Sequence, residues 1–88
     1  MKYLHNEFDL KQGDHVEVTL DKQANVMLLD SINYQNYSRG RRYRYYGGLA
    51  KRSPITLQPP HPGHWHVVVD LGGYAGTVRA SIQKITFN

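Results

Sequence analysis

Hydrophobic and polar residues alternate along most of this chain with a period of two. His15–Leu20 is the cleanest case: Val16, Val18 and Leu20 share one parity, and His15, Glu17 and Thr19 the other. Successive side chains of a strand point to opposite faces, so this pattern predicts a half-buried β-strand. Lys2–Leu10 follows the same rule, with Leu4, Phe8 and Leu10 on one parity and His5, Glu7 and Asp9 on the other. In His64–Leu71, Trp65, Val67, Val69 and Leu71 point inward, and His64, His66, Val68 and Asp70 outward. Thr77–Gln83 turns Val78, Ala80 and Ile82 inward. The parity then shifts to Ile85 and Phe87, which predicts a bulge or a change of sheet near Gln83. Asn25–Asp30 is apolar on both parities, as a central strand covered on both faces would be.

Turn chemistry separates these runs. Lys11-Gln12-Gly13-Asp14 and Asp21-Lys22-Gln23 are polar turns, and Pro59–Gly63 is a rigid corner in which Pro62-Gly63 fits a type II turn. Pro54–Gln58 reads as a short strand that opens on its proline, where a missing N–H does least harm. The glycine-rich Gly72–Gly76 predicts the loop of a hairpin joining the last two strands. It is not a phosphate loop, because no Gly-Lys-Ser/Thr follows and no helix begins there. Ser31–Gly40 is polar and loop-like, with one helical turn at most, capped by Asp30 or Ser31. Arg41–Tyr46 alternates again and is expected to be a strand, with Tyr43 and Tyr45 on one face and Arg42, Arg44 and Tyr46 on the other. Gly47-Gly48 then loosens the chain.

The sum is about seven strands, no helix of normal length, and turns at the rhythm of an all-β sandwich or barrel. The expected fold is one antiparallel β-sandwich, jelly-roll-like, spanning residues 1–88. Its core should hold Leu4, Phe8, Leu10, Val16, Val18, Leu20, Met27 or Val26, Leu28, Leu29, Tyr43, Ile55, Leu57, Trp65, Val67, Val69, Leu71, Val78, Ala80 and Ile82.

Composition adds constraints. A chain of 88 residues with 40% hydrophobic content supports one small core. It has no cysteine, so neither a disulfide framework nor a Cys-based zinc site is open to it, which suits a reducing cytoplasm. The opening MKYLHNEFDL lacks the apolar core of a signal peptide. No run approaches the roughly 20 apolar residues of a membrane span. The expectation is a cytoplasmic protein.

Charge is unevenly spread. Residues 1–30 carry three lysines against six acids, whereas residues 31–69 carry Arg39, Arg41, Arg42, Arg44, Lys51 and Arg52 and no acid. A stretch with cations alone sets up a local positive field. On a strand Arg42 and Arg44 would stand about 7 Å apart, near the spacing of neighbouring phosphates. Arg39, Arg41, Lys51 and Arg52 would widen the patch, and Tyr46 would stack on a base or sugar. The plainer reading of the same residues is a solvated face over buried tyrosines.

Other candidates are weaker. In HPGHWH, His64 and His66 share a face and could grip one metal with His61 or Asp70 nearby. Two ligands do not make a site, however, and upstream only the outward pair His15 and Glu17 comes to notice. No metal or other cofactor is expected. His64 and His66 could instead assist anion binding by gaining charge below about pH 6.5. Ser31, Ser38, Ser53 and Ser81 show no nucleophile-elbow context, Asp14, Asp21 and Asp30 sit at turns, and Glu7 with Asp9 reads as a solvated pair. No reaction is legible, and the chain is not expected to be an enzyme.

Two resemblances bear on this. The order of "GDHVEVTL", "ANVMLLD", "SPITL" and "GHWHVVVDLGGYAGTVRASI" resembles the small jelly-roll sandwiches attached to secreted peptidases, over residues 8–84 and in topology alone. More specifically, the opening MKYLHNEFDL, the central "RGRRYRYYGGLAKRSP" and "PPHPGHWHVVVDLGGYAG" resemble a bacterial family of small proteins of unassigned function. That resemblance covers nearly the whole chain. It implies a domain found alone or fused to TIR domains, beside a signalling or defence module, with no assigned catalytic residues.

The expected function is therefore a non-catalytic binding module for an anionic ligand, nucleic acid or nucleotide. The alternative is a self-association or protein-interaction domain, in which the acidic first third of one copy meets the basic middle of another. A carbohydrate-binding sandwich would need Trp65 as an exposed platform, which its inward parity argues against.

Overall fold

In the computed structural model, which describes residues 3–72 and 76–86, seven strands form two antiparallel sheets. In chain order they are β1 (Leu4–Leu10), β2 (His15–Leu20), β3 (Ala24–Leu29), β4 (Tyr46–Ala50), β5 (Ile55–Leu57), β6 (Gly63–Asp70) and β7 (Ala80–Ile85). One helix, α1 (Ser31–Ser38), lies between β3 and β4. The four-stranded sheet has the order β1-β6-β3-β4, and the three-stranded sheet β5-β2-β7. This is the small all-β sandwich that the alternation implies. The chain keeps crossing between sheets, from β1 to β2, from β2 to β3, from β4 to β5 and at both ends of β6.

The main core lies between the sheets. Val16, Val18 and Leu20 of β2 face Val26 and Leu28 of β3 and Trp65, Val67 and Val69 of β6, with Leu10, Ala24, Ala50 and Leu57 closing the ends. Cross-strand pairs tie it together: Phe8 opposite Trp65, Val26 opposite Val69, Leu28 opposite Val67 and Val18 opposite Ile82. Phe8, Ile55, Leu71, Val78, Ala80 and Ile82 pack half-buried against this set. Leu4, expected inside, is 39% exposed near the free end of the edge strand β1.

A second, smaller cluster covers the opposite face of the four-stranded sheet. Met27 and Leu29 of β3 and Val68 of β6 pack beneath Tyr37 of α1, with Tyr3, Tyr34 and Tyr43 around them. This layer explains why β3 is apolar on both parities and why Val68, expected to face solvent, is buried. Met27 and Val26 are both buried, one in each cluster. His66 and Asp70, also expected outward, are only 6% and 5% exposed for the same reason.

Five further expectations are corrected. The polar stretch after β3 is a two-turn helix; its N-cap is Asp30, whose carboxylate accepts from the Asn33 amide at 2.8 Å. Residues 41–45 are not a strand. Past α1 the Arg41 amide bonds back to the Asn36 carbonyl at 2.8 Å, and the Arg44 amide donates to Asn33 Oδ1 at 2.7 Å. With its amides held by the helix, this arm joins no ladder until Tyr46. The glycines at 47 and 48 belong to β4, where Gly47 at φ +112° lies so close to β3 that a Cβ would run into the Val26 carbonyl. Lastly, β6 and β7 form no hairpin, because β7 pairs with β2 in the other sheet. That ladder runs unbroken from Leu20 opposite Ala80 to His15 opposite Ile85, so no bulge marks Gln83. Residues 73–75 of the expected hairpin loop, and Phe87, lie outside the described residues.

Candidate functional site

The arm between α1 and β4 carries most of the residues the sequence singles out. Arg39, Arg41, Arg42 and Arg44 are exposed, as are Lys51 and Arg52 beyond β4. Among the described residues, none of the six has a carboxylate within 4.0 Å. Their charges are therefore not cancelled by local ion pairs. Lys51 and Arg52 share a hollow with Asp21 and Lys22 at the other end of β4, about 17 Å along the strand from Tyr46.

The tyrosines of the arm are sorted unequally. Tyr43 is half-buried and meets Tyr37 edge to face, with centroids 5.1 Å apart and planes at 89°. Tyr45, expected in the interior, is exposed and tilts against Tyr43 at 5.7 Å. Tyr46 begins β4 and rests one edge on Trp65 at 6.0 Å, while half of its surface stays open. Tyr43, Arg44, Tyr45 and Tyr46 together line a shallow hollow of about 370 Å³. Tyr43 and Tyr45 also line a groove of about 560 Å³, together with Asn25, Met27, Tyr37, Gly48, Asp70 and Gly72. Tyr37 does not stand out in the sequence, and Asp70 does so only as a neighbour of the HPGHWH histidines; the groove appears only once β3, β6 and α1 come together.

Asp70 anchors the floor of that groove. Its Oδ2 accepts from the Tyr37 hydroxyl at 2.6 Å, and its Oδ1 from Asn25 Nδ2 at 3.0 Å and the Gly72 amide at 2.9 Å. These donors allow a carboxylate to be buried here. Burial first, and then the Asp70 carboxylate, hold the Tyr37 hydroxyl far above its ordinary ionisation range, and burial raises Tyr43. Both phenols are neutral donors at physiological pH.

A second constellation occupies the same face at the β1–β6 end. The register sets Glu7 opposite His66 and Asp9 opposite His64. His64 is clamped between two carboxylates, with Nε2 2.8 Å from Glu7 Oε1 and Nδ1 2.7 Å from Asp9 Oδ1. The hydrogen bonds to Asp9 and Glu7 raise the His64 pKa, and His64 in turn lowers those of both acids. Buried His66 is pushed the other way by desolvation, which disfavours its charged form. Its Nδ1 lies 2.9 Å from His5 Nε2 and its Nε2 3.0 Å from Ser31 Oγ. The Tyr34 ring stacks on both imidazoles, and its hydroxyl meets Tyr3 at 3.0 Å, which with burial pushes its pKa up to about 12. His61 stands apart, its carbonyl accepting from the Trp65 indole at 3.1 Å. Sequence reasoning paired the histidines of HPGHWH and missed His5, because its partner lies 61 positions away. Trp65 is 2% exposed and offers no sugar platform.

Fold and site define a small two-sheet β domain with an arginine-rich arm beside an aromatic groove. The chain belongs to the family described as "Domain of unknown function (DUF1883)", which it matches over residues 1–87. No curated protein and no solved structure matches it. Among the described residues, no helix is long and apolar enough to cross a membrane.

Proposed function

We propose that this domain is a non-catalytic binding module for a ligand that combines phosphate with a flat ring, a nucleotide or single-stranded nucleic acid. The observation that carries this reading is the position of Arg44. It shares one hollow with Tyr43, Tyr45 and Tyr46, and no carboxylate among the described residues engages it. Stacking on exposed rings and pairing of guanidinium with phosphate are the two contacts single strands use. Arg39, Arg41 and Arg42 extend the positive arm, and Tyr46 keeps half its ring available. Lys51 and Arg52 would join only with a ligand long enough to follow β4.

The resemblance noted from the sequence adds a setting: a bacterial module acting alone or next to a TIR-type signalling or defence domain, for which the composition suits the cytoplasm. A salt-titrated screen with a single-stranded oligonucleotide, ATP and polyglutamate tests the proposal. The ring-bearing phosphates should bind and polyglutamate should lag. Log affinity should fall with log salt by about 0.7 per phosphate neutralised on a single strand. Binding that survives Arg42→Glu with Arg44→Glu unchanged removes the reading.

Self-association is the second reading, favoured by one feature. β4 is an edge strand with Leu49 more than half exposed, and an open edge of that kind can pair with another copy. Light scattering at low salt separates the two: this reading needs a dimer or larger assembly, and a strict monomer at high concentration excludes it.

A further inference from the structure

The outer face of β1 and β6 carries a donor set unrelated to the arm. His5 and Glu7 are two residues apart on β1 and so share a face, and Glu7 stands directly opposite His66 on β6. We propose that His5 Nε2, His66 Nδ1 and a Glu7 carboxylate oxygen form a three-ligand site for a borderline divalent transition metal, zinc above all, with a fourth position open to water or a further ligand. The three donor atoms lie within 4.8 Å of one another. His5 Nε2 and His66 Nδ1 are 2.9 Å apart, and Glu7 Oε1 is 3.9 Å from His66 Nδ1. Around a tetrahedral ion with bonds of about 2.0–2.1 Å, neighbouring donors stand about 3.3 Å apart, between the two observed separations. Small side-chain adjustments therefore reach coordination.

The surroundings hold the ligands as a metal site requires. Tyr34 lies nearly parallel to both imidazoles, at 4.1 Å from His5 and 4.5 Å from His66, and fixes their planes. Ser31 Oγ lies 3.0 Å from His66 Nε2 and accepts a hydrogen bond from it in the tautomer that carries the proton on Nε2 and leaves the Nδ1 lone pair free for the ion. His64 holds Glu7 and is itself held by Asp9. In the metal-free state one proton must sit between His5 and His66. Metal binding needs only a shift of tautomer, with His66 carrying its proton on Nε2 and His5 on Nδ1. Access is open, because Glu7 is half-exposed and β1 is an edge strand. Two imidazoles and one carboxylate suit zinc and its neighbours, and the set offers too few oxygens for calcium or magnesium.

The test uses the full, tag-free chain stripped with EDTA and titrated calorimetrically with Zn²⁺, with Mg²⁺ as the control. One Zn²⁺ per chain is expected, with no Mg²⁺ binding, and Co²⁺ should give the visible absorption of a four- or five-coordinate site. His5→Asn and Glu7→Gln should each weaken Zn²⁺ at least about tenfold, and His61→Gln should leave it unchanged. Both ligand variants lie at the edge of the fold, and circular dichroism verifies that they remain folded. Absence of Zn²⁺ binding, or binding unchanged in the His5→Asn/Glu7→Gln double variant, overturns the proposal. Neither result bears on the anion site, whose residues are separate.

Discussion

The Tyr37 hydroxyl donates to Asp70 Oδ2 across 2.6 Å, and this bond joins the helix to the four-stranded sheet at the floor of the aromatic groove. Removing it leaves a buried carboxylate short of one donor. Tyr37→Phe should lower stability by about 1–3 kcal/mol in urea unfolding with little change in the slope. An unchanged midpoint would show that water replaces the phenol without loss.

The same contact sets a response to alkali. The folded Tyr37 holds its proton far above the ordinary value of 10.0, so folding favours the neutral phenol. Its contribution is complete below about pH 10 and is lost as the pH climbs from there toward the folded value. Phenolate absorbance should show Tyr34 and Tyr37 still protonated at pH 10. Urea midpoints of the wild type should fall more steeply above pH 10 than those of Tyr37→Phe. Ionisation of every tyrosine near pH 10 in the folded chain would contradict the buried geometry.

Trp65 packs in the main core, opposite Phe8 and against the edge of Tyr46, with its indole N–H satisfied by the His61 carbonyl. Trp65→Ala should cost about 3–5 kcal/mol, which for a domain of this size approaches complete unfolding. Circular dichroism and thermal melting measure it; a cooperative melt close to wild type would show the indole to be peripheral.

Gly47 is where β4 closes on β3. Gly47→Ala combines a left-handed backbone with a collision against the Val26 carbonyl, so a loss of more than about 1 kcal/mol is expected. Gly40→Ala also starts from positive φ but has open space around it and should be milder. The two melting temperatures side by side verify the difference, and equal losses would refute the close approach.

How much of this was readable in advance depends on the distance over which each feature is decided. β2 and the doubly apolar β3 were legible because alternation is local. The helix was not: SINYQNYS has no apolar stripe and few strong helix formers, and only the Asp30 cap announced it. What holds the helix is Tyr37 resting on Met27 and Val68, a tertiary contact. The arm imitated a strand through its Arg/Tyr alternation, yet its path follows from Asn33, eleven residues back. Tyr43 nonetheless turns inward and Arg42 and Arg44 outward, as the alternation implied. The hairpin expectation failed because glycine-rich turn chemistry does not say which sheet the next strand joins. The imidazole pair was invisible because only the pairing of β1 with β6 brings His5 to His66.

The arm should govern binding without governing stability. Arg42→Glu with Arg44→Glu touches no described ion pair, so unfolding should shift by no more than about 0.5 kcal/mol while oligonucleotide affinity collapses. A large stability change would mean that the arginines serve the fold instead.

The most direct measurement is an amide-resolved NMR titration of the chain with a short single-stranded oligonucleotide at low salt. Shifts concentrated at Tyr37, Tyr43–Tyr46 and Gly48, reversed by added salt, are the expected result. Shifts confined to the hollow around Lys51 and Arg52, or none at all, would contradict the placement of the ligand beside Arg44.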